Sequence, residues 1–475
     1  MTREPGTVIA ELRETLARHA AAIEAPSDPW ARFEARSAAA GSAPPSGRRL
    51  RPSPRPPRWP RSAVLVTAAA CVVAALGVVA VRSGDGGGNV QVAGPAGATS
   101  TTAATGALPP PSSLPTTTVP APAPPPPGGP VPSNFRPGSV TFVSLTHGWA
   151  MGTAPCASPP CTSLARTTDG GTTWVGIPAP RADLTYPGNT DPSALADVST
   201  IRFADDLHGW AFGPALWSTS DGGATWNRVI GMPPFSMGRR VVALEAAAGV
   251  AYALVAAPVD AGNDLELWRT DVARQDWAPV ALPSATTGYP DGQLVLQGRS
   301  AWVVAGSDQF KVFATTDGDR WAELPRPAAC TLGGMLLAAS SPTEVIAVCR
   351  GGVAMGSEQK FVAVSHDGGR TYQQVADAPL GGHTMAVAQA DASTILIAAT
   401  GGASNLYRSG DGGRTWSTVL TDLTGGLPWR DVGFTSSTQG IAIEGDGTSA
   451  NSAFPIVGLY RTTDAGRTWT RVAIT

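Results

Sequence analysis

Lysine, histidine and cysteine are all scarce in this chain of 475 residues. It contains two lysines beside 32 arginines, and only five histidines and five cysteines. Such a preference for arginine indicates a GC-rich, bacterial genome. Because the histidines and cysteines do not stand at metal-ligand spacing, the sequence predicts no metal site and no cofactor. Stretches with helical periodicity are confined to the N-terminus, which excludes a helical bundle for the rest of the chain.

The five cysteines fall into two settings. Cys71 lies within an apolar stretch, whereas Cys156, Cys161, Cys330 and Cys349 follow it as two local pairs. If the apolar stretch spans a membrane, the four later cysteines lie beyond it, and an even number of cysteines there is typical of disulfides in an oxidising compartment. We expect Cys156 to pair with Cys161, and Cys330 to pair with Cys349 across neighbouring strands.

Charge is unevenly distributed along the chain. Residues 1–61 hold eleven arginines and six acidic residues, a net charge of +5, whereas residues 138–475 hold 21 basic and 29 acidic residues, a net charge of −8. An acidic domain repels phosphate backbones, so nucleic acid is not an expected partner. The basic segment instead suits the anionic cytoplasmic leaflet of a membrane.

The 20 residues from Ser62 to Val81 carry no charge. A helix of this length spans about 30 Å, the thickness of one hydrocarbon core. Six arginines precede the stretch between residues 48 and 61, and only Arg82 and Asp85 follow it closely. This asymmetry predicts a transmembrane signal anchor over 62–81, with the N-terminus in the cytoplasm and the rest outside. The alternative is a cleaved secretory signal, which 61 preceding residues disfavour.

The segments on either side of the span cannot form a core of their own. Residues 1–61 are expected to be a short, basic, partly helical cytoplasmic tail. Residues 1–47 either dock onto a cytoplasmic partner or form a frayed tail, and both readings stay open. Residues 82–137, rich in proline, threonine and alanine, predict a disordered stalk.

One short phrase recurs seven times at intervals of 44 to 53 residues. It reads Ser or Thr, any residue, Asp, two glycines, any residue, Thr and an aromatic residue. The copy from Thr315 is one residue short, the copy from Thr270 has Val272 in place of aspartate, and the copy from Thr462 has Ala465 in place of the first glycine. The aspartates are Asp169, Asp221, Asp317, Asp367, Asp411 and Asp464, and the aromatic residues are Trp174, Trp226, Trp277, Trp321, Tyr372, Trp416 and Trp469.

Each part of the phrase has a role in folding. The aspartate and the hydroxyl can accept hydrogen bonds from amides of a turn, the glycines allow positive φ, and the aromatic residue packs between sheets. Calcium binding is the rival reading, but a calcium loop needs several carboxylates and these turns offer one. A repeat of this length with strand signals indicates propeller blades.

The phrase resembles the Asp-box, or bacterial neuraminidase, repeat over residues 138–475. Two further phrases, His147-Gly-Trp-Ala and His208-Gly-Trp-Ala, resemble the photosystem II stability/assembly-factor type of this repeat. The resemblance implies a propeller of about six to eight blades, with the boxes remote from any active centre. Seven copies predict an all-β, seven-bladed propeller of four-stranded antiparallel blades. Because the region opens on a first strand and closes on a fourth, no strand exchange between the termini is expected.

Two classes of function remain open for this propeller. The favoured reading is a membrane-anchored, extracytoplasmic binding or assembly module for a protein or glycan ligand, without catalytic residues. The longer loops Arg181–Ser199, Asp260–Leu265 and Gly445–Pro455 are then the candidate recognition elements.

The alternative is a sialidase-like or other glycoside hydrolase. For a sialidase, the resemblance implies an arginine triad, a Tyr–Glu pair, an acid/base aspartate and an early Arg-Ile-Pro motif. Only Phe135-Arg136-Pro137 partly matches that motif. Tyr407 and Tyr460 occupy the strand position of Trp217 and Trp268 and are interpreted as structural. No glutamate is an evident partner for the remaining Tyr186, Tyr252 or Tyr289.

Overall fold

The structure is a computed structural model of the chain. It describes residues 128–230, 238–258, 264–286, 288–289, 291–306, 309–330, 333–422, 428–445 and 456–475. The predicted tail and apolar span, and the stalk up to residue 127, lie outside these ranges. Within them, no helix is long and apolar enough to cross a bilayer.

The described residues form seven four-stranded sheets. Blade 1 consists of β1 Arg136–Phe142, β2 Gly148–Thr153, β3 Thr162–Thr167 and β4 Val175–Ile177, and blade 2 of β5 Thr200–Phe203, β6 Gly209–Phe212, β7 Leu216–Thr219 and β8 Asn227–Arg228. Blade 3 consists of β9 Arg240–Ala247, β10 Val250–Ala256, β11 Leu265–Asp271 and β12 Ala278–Val280, and blade 4 of β13 Gly292–Gln297, β14 Ser300–Ala305, β15 Lys311–Thr315 and β16 Ala322–Leu324. Blade 5 consists of β17 Met335–Ala339, β18 Val345–Ala354, β19 Ser357–Ser365 and β20 Gln373–Gln374, and blade 6 of β21 His383–Gln389, β22 Ile395–Thr400, β23 Ser404–Ser409 and β24 Ser417–Asp422. Blade 7 consists of β25 Trp429–Phe434, β26 Gly440–Gly445, β27 Ile456–Thr462 and β28 Thr470–Val472, and a 3-10 helix, Pro192–Ala194, lies between β4 and β5.

Every blade is one contiguous antiparallel meander. In each sheet the strands are hydrogen-bonded in chain order, and the first strands of successive blades contact one another from β1 to β25. The ring closes where β27 contacts β1, through a core that includes Phe142, Trp174, Ile441 and Leu459. The predicted seven blades of four strands are therefore confirmed, as is closure without an exchanged strand.

The second strands pack on both of their faces, which explains their continuous apolar runs. All seven residues of β10 are buried. Tyr252 and Leu254 pack with residues of blade 4, whereas Ala253 and Val255 pack with residues of blade 2. The two-residue period of a strand therefore assigns alternate side chains to opposite neighbouring blades.

The propeller begins earlier than residue 138. Gly129 forms an antiparallel bridge with Gly176 of β4, with N to O distances of 2.9 and 2.8 Å. Val131 and Phe135 pack against the core between blades 1 and 7, and β1 starts at Arg136. The end of the proline-rich tract is ordered because these two apolar side chains have a core to join.

The repeated phrase forms a turn between the third and fourth strands of a blade, the box turn. In the sixth blade, Ser409 Oγ donates to Asp411 Oδ1 at 2.8 Å and accepts from Gly413 N at 2.8 Å. Asp411 also accepts from the backbone N and the Oγ1 of Thr415, at 2.9 and 2.7 Å. The polar side chains of the turn thus satisfy one another.

The box turn also carries a hydrogen bond between blades. The backbone carbonyl of its first glycine position accepts from a long side chain of the preceding blade. The four bonds are Trp149 Nε1 to Gly222 O at 3.2 Å, Tyr252 Oη to Gly318 O at 3.3 Å, Trp302 Nε1 to Gly368 O at 2.9 Å and Arg408 Nε to Ala465 O at 2.7 Å. In these four blades the turn therefore fixes the position of the blade against the one before it.

The altered turn of blade 3 shows what is lost when the phrase changes. Val272 replaces the aspartate and is buried in the core between blades 2 and 3. Trp210, in the strand position of Trp149, is fully buried, and its Nε1 has no hydrogen-bond partner among the described residues. An apolar contact has replaced the polar one at this interface.

The tryptophans of the two His-Gly-Trp-Ala phrases are preceded by glycines for a steric reason. A Cβ at Gly148 would lie 2.6 Å from the ring of Phe142, and one at Gly209 would lie 2.6 Å from the ring of Phe203. The glycines of these two phrases are therefore explained by the close packing of an aromatic ring on the backbone.

The matched pair Trp302→Phe and Trp210→Phe tests the inter-blade hydrogen bond. Trp302→Phe removes the donor to Gly368 O, whereas Trp210→Phe removes an Nε1 without a partner among the described residues. We expect Trp302→Phe to lower the free energy of unfolding by roughly 1–2 kcal/mol more than Trp210→Phe does. Urea denaturation of the full chain measures this difference, and equal losses would contradict the role of the bond.

Candidate functional site

The two ends of the ring differ in chemistry. The box face carries the seven box turns, from residues 167–174 to residues 462–469, and the loop face is the opposite end, where second strands finish at residues such as Thr153 and Thr400. On the box face, hydrogen bonds from the side chain and backbone of Thr415 lower the pKa of Asp411 to about 2. The pKa of Asp169 and of Asp367 is also about 2.

The box carboxylates do not converge on a common site. Each accepts its hydrogen bonds from residues of its own turn, and the turns lie on separate blades. The aromatic residues of the turns pack into the cores between blades; for example, Trp174 and Trp277 are buried. The box face is therefore occupied by folding contacts.

Three charged side chains meet between first strands near the ring axis. Arg202 of β5 donates from Nε to Glu245 Oε1 of β9 at 3.1 Å, and its Nη2 lies 3.7 Å from Asp431 Oδ2 of β25. All three residues are buried, and Asp431 Oδ1 has no hydrogen-bond partner among the described residues. We call these residues the axis network. It links blades 2, 3 and 7.

Burial dominates the electrostatics of the axis network. It raises the pKa of Glu245 to about 7 and that of Asp431 to about 8, although Arg202 opposes both shifts. One guanidinium cannot fully compensate two desolvated carboxylates, so both carboxyl groups keep their protons to higher pH than they would in water. Carboxyl groups with raised pKa values in a cleft mark a candidate functional site.

A crevice on the loop face leads toward this network. It has a volume of about 30 Å³, and its lining includes Pro187 and Gly188 of the Arg181–Ser199 loop, Gly292 and Leu294 of β13, and Glu245. The loop is tied to the ring because Asn189 O accepts from Arg240 Nη1 at 3.4 Å. Of the three predicted recognition loops, this one is therefore placed beside the axis. Most of the other two, residues 259–263 and 446–455, lies outside the described residues.

Lys360 organises a second part of the loop face. Its side chain is fully buried, and the three N–H groups of Nζ are shared among five backbone carbonyls that lie 2.7 to 3.3 Å away, those of Glu358, Pro379, Leu380, Gly381 and Gly382. Burial lowers its pKa to about 8, so the side chain remains a cation at neutral pH.

The neighbouring carboxylate of Glu358 is also fully engaged. Arg350 Nε donates to its Oε1 at 2.8 Å, and the backbone N and Oγ1 of Thr384 donate to its Oε2 at 2.6 Å. Sequence reasoning missed this cluster, although the rarity of lysine was a signal. A compact ammonium suits several converging carbonyls better than a planar guanidinium does.

One tyrosine has a glutamate neighbour that the sequence did not indicate. Tyr460 Oη donates to Glu444 Oε2 at 3.4 Å, and Tyr460 occupies the third-strand position expected for it. Burial, followed by the effects of Asp422, raises the pKa of Glu444 to about 7. Tyr460 lies on β27, the third strand of blade 7, and packs edge-on against Trp429. The pair is therefore displaced from the first strands that surround the axis.

Both expected disulfides are present. Cys156–Cys161 closes the connection between β2 and β3, with a Cα–Cα distance of 5.5 Å. Cys330–Cys349 joins β18 to the connection before β17, with a Cα–Cα distance of 4.8 Å, so Cys330 stands just outside the strand expected for it. Among the described residues, no group of three or more potential metal ligands is found.

The fold defines a class of protein, the seven-bladed β-propeller. This is the fold expected from the resemblance to sialidase-like and photosystem II assembly-factor-like propellers, so that expectation is confirmed for the fold. No protein-family model and no curated protein matches the chain.

Several solved structures are similar to this chain. One is YCF48 from Cyanidioschyzon merolae, at 17% identity and a TM-score of 0.47, covering 71% of this chain and 98% of that one. Another is YCF48 bound to D1 peptide, at 17% identity and a TM-score of 0.46, covering 71% and 95%. A third is the GH74 enzyme of Niastella koreensis, at 12% identity and a TM-score of 0.26, covering 71% and 65%.

The axis network predicts a stability that falls as pH rises. The folded pKa values of Glu245 and Asp431 lie above their ordinary values, so their contribution is complete below about pH 4 and is lost as pH rises through 7 to 8. We expect the unfolding temperature of the full chain to drop by about 2–4 °C between pH 6 and pH 9. Asp431→Asn, which mimics the protonated form, should reduce this drop, and the exposed Asp377→Asn should not. An unchanged slope in Asp431→Asn would contradict the assignment.

We expect Lys360 and Lys311 to differ in their contribution to stability and in their reactivity toward acetylation. Lys360→Met removes the donor to five carbonyls and should cost roughly 3 kcal/mol of unfolding free energy. Lys311→Met should cost about 1 kcal/mol, because among the described residues its Nζ donates to two acceptors, Ser284 Oγ and Ala285 O. In native acetylation followed by peptide mass spectrometry, Lys311 should react before Lys360. Faster labelling of Lys360 would disprove its enclosure.

Proposed function

We propose that this protein is a membrane-anchored, extracytoplasmic binding module that holds a protein or glycan ligand on the loop face of its propeller. The main observation behind this proposal is that the polar side chains are arranged differently on the two faces of the ring. On the box face the repeated Ser or Thr and Asp side chains bond within their own turns. Among the described residues, the loop face instead carries the Arg181–Ser199 loop and the buried Lys360, each of which occurs in a single place.

The placement of the Arg181–Ser199 loop supports this proposal. Backbone bonds at 2.9 Å join Thr185 N to Val198 O and Val198 N to Asp183 O, which fixes the loop without regular strands. The loop borders a crevice beside the axis. A preorganised loop on a rigid scaffold suits recognition, because less conformational entropy is lost on binding.

The chemistry of the exposed side chains favours a protein over a glycan. Val353, Met355 and Leu380 are exposed apolar residues on the loop face. Apolar patches on a soluble domain mark interaction surfaces. The apolar span 62–81, the two disulfides and the acidic charge of residues 138–475 support display outside the cytoplasm.

Photo-crosslinking on intact membranes tests the proposed binding face. A photoreactive residue is placed at Thr190, exposed in the loop-face segment, and a matched one at Thr172, exposed in a box turn. We expect ligand adducts, identified by mass spectrometry, from position 190 and not from position 172. Adducts confined to position 172 would overturn the assignment of the face.

Glycoside hydrolysis is the second candidate, because the structure contains the Tyr460–Glu444 pair and two carboxyl groups with raised pKa values at the axis. Two suitably spaced carboxyl groups are the usual requirement for this reaction. A fluorogenic sialoside and fluorogenic glycosides offered to the full chain measure it. Turnover that disappears in Tyr460→Phe would establish a sialidase, and absence of turnover on every substrate would support the binding module.

A further inference from the structure

Three uncharged segments meet on the loop face between blades 5 and 6. They comprise residues 351–356, 379–382 and 401–403, and seven of these thirteen residues are glycine. Gly382 N donates to Gly356 O at 3.0 Å, and a Cβ added at Gly401 would lie 2.5 Å from Gly356 O. The three segments are therefore in direct contact. We call them the glycine platform.

Most of the exposed large apolar side chains in the described part of the chain lie on the glycine platform. Val353, Met355 and Leu380 are 47%, 104% and 57% exposed, and they are three of the five exposed large apolar residues in the described part of the chain. Such a concentration on one surface, without a charged residue among the thirteen, indicates an interaction surface rather than scattered exposure.

The backbone conformation of Met355 indicates that methionine at this position does not serve to stabilise the turn. Met355 and Gly356 have φ values of 45° and 78° and connect the paired residues Ala354 and Ser357. Two-residue hairpin turns with positive φ at both positions favour Asn-Gly, since asparagine tolerates this conformation better than most residues. The chain therefore has a fully exposed methionine where a polar residue would stabilise the turn more.

Buried side chains beneath the glycine platform restrain its backbone. The carbonyls of residues 379–382 all accept from the buried Nζ of Lys360, so this segment cannot shift without exposing a cation. Glu358, near the base of the hairpin, is fixed by Arg350 and Thr384. A surface fixed in advance loses little conformational entropy when a partner binds.

In the described part of the chain, one edge of the platform carries no paired strand. The hairpin of β18 and β19 extends past the rest of its sheet, and β17 pairs with β18 only as far as Cys349. Arg350 N still donates to Gly334 O at 2.9 Å. Beyond Arg350, no described strand pairs with the side of β18 that faces away from β19. The register with β19 shifts between Arg350 and Val353, and Gly352 N donates to Gln359 Oε1 at 3.3 Å. Unpaired backbone on such an edge is a template for an added strand.

We propose that the glycine platform docks an extended, uncharged segment of a partner protein, which pairs along residues 351–354 and covers Met355 and Leu380. This inference rests on the proposed function and names its site. Glycines let a second backbone approach closely, and methionine adapts to different apolar neighbours. A bilayer is disfavoured because the domain has a net charge of −8 and the platform contains no basic or aromatic residue.

Crosslinking from Leu380 tests the proposal in the full chain on intact membranes. A photoreactive residue at position 380 should yield adducts whose sequenced partner peptide is uncharged and apolar. Met355→Asn in the same background should lower the adduct yield by about fivefold or more, equivalent to about 1 kcal/mol of binding. The control, Leu145→Asn, changes an exposed apolar residue on the box face and should leave the yield unchanged.

The unfolding midpoint of Met355→Asn should match or exceed that of the wild type, so a lost adduct cannot reflect lost folding. Adducts to lipid, to a second copy of this chain or to charged segments would overturn the proposal. An undiminished yield in Met355→Asn would overturn it as well. Adducts from position 190 with none from position 380 would overturn this inference and leave the proposed function standing.

Discussion

Packing between blades relies on one recurrent hydrogen-bond acceptor, the backbone carbonyl at the first glycine position of the box turn, which four of the seven box turns use. Serine or threonine, aspartate and a second threonine satisfy one another inside the turn, which leaves this carbonyl for the preceding blade. Trp302 to Gly368 and Arg408 to Ala465 show that chemically different donors use the same acceptor. The repeat therefore specifies contacts between blades as well as the turn within each blade.

Because the repeated polar groups take part in folding, differences between blades are where function can reside. Those differences are concentrated on the loop face and at the axis. The axis network joins side chains from non-adjacent blades, and the loop face combines an ordered segment beside a crevice with an uncharged platform above a buried lysine. The residues that form these features are not part of the repeated phrase. Residues outside the repeat are where recognition is expected on a repetitive scaffold.

The sequence predicted what is periodic and missed what is not. Seven copies of the phrase, the apolar second strands and the local cysteine pairs were sufficient for the blade count, the strand order and the disulfides. The axis network was not foreseeable, because Arg202 and Glu245 are 43 residues apart, and isolated charges on alternating strands ordinarily point to solvent. Tyr460 was placed on the correct strand, but its pairing with Glu444 depends on strand register, which periodicity does not determine. The start of the propeller was misjudged because Val131 and Phe135 are surrounded by prolines.

The bridge between Gly129 and Gly176 has a mechanical consequence. The chain joins the outermost strand of blade 1 before it reaches the innermost one, so tension from the preceding residues acts first on two peripheral hydrogen bonds. Those bonds can yield while β1 stays within its sheet. If the proposed anchor tethers the ring, this arrangement would let the ring bear intermittent load from its N-terminal side while the seam between the first and last blades stays intact.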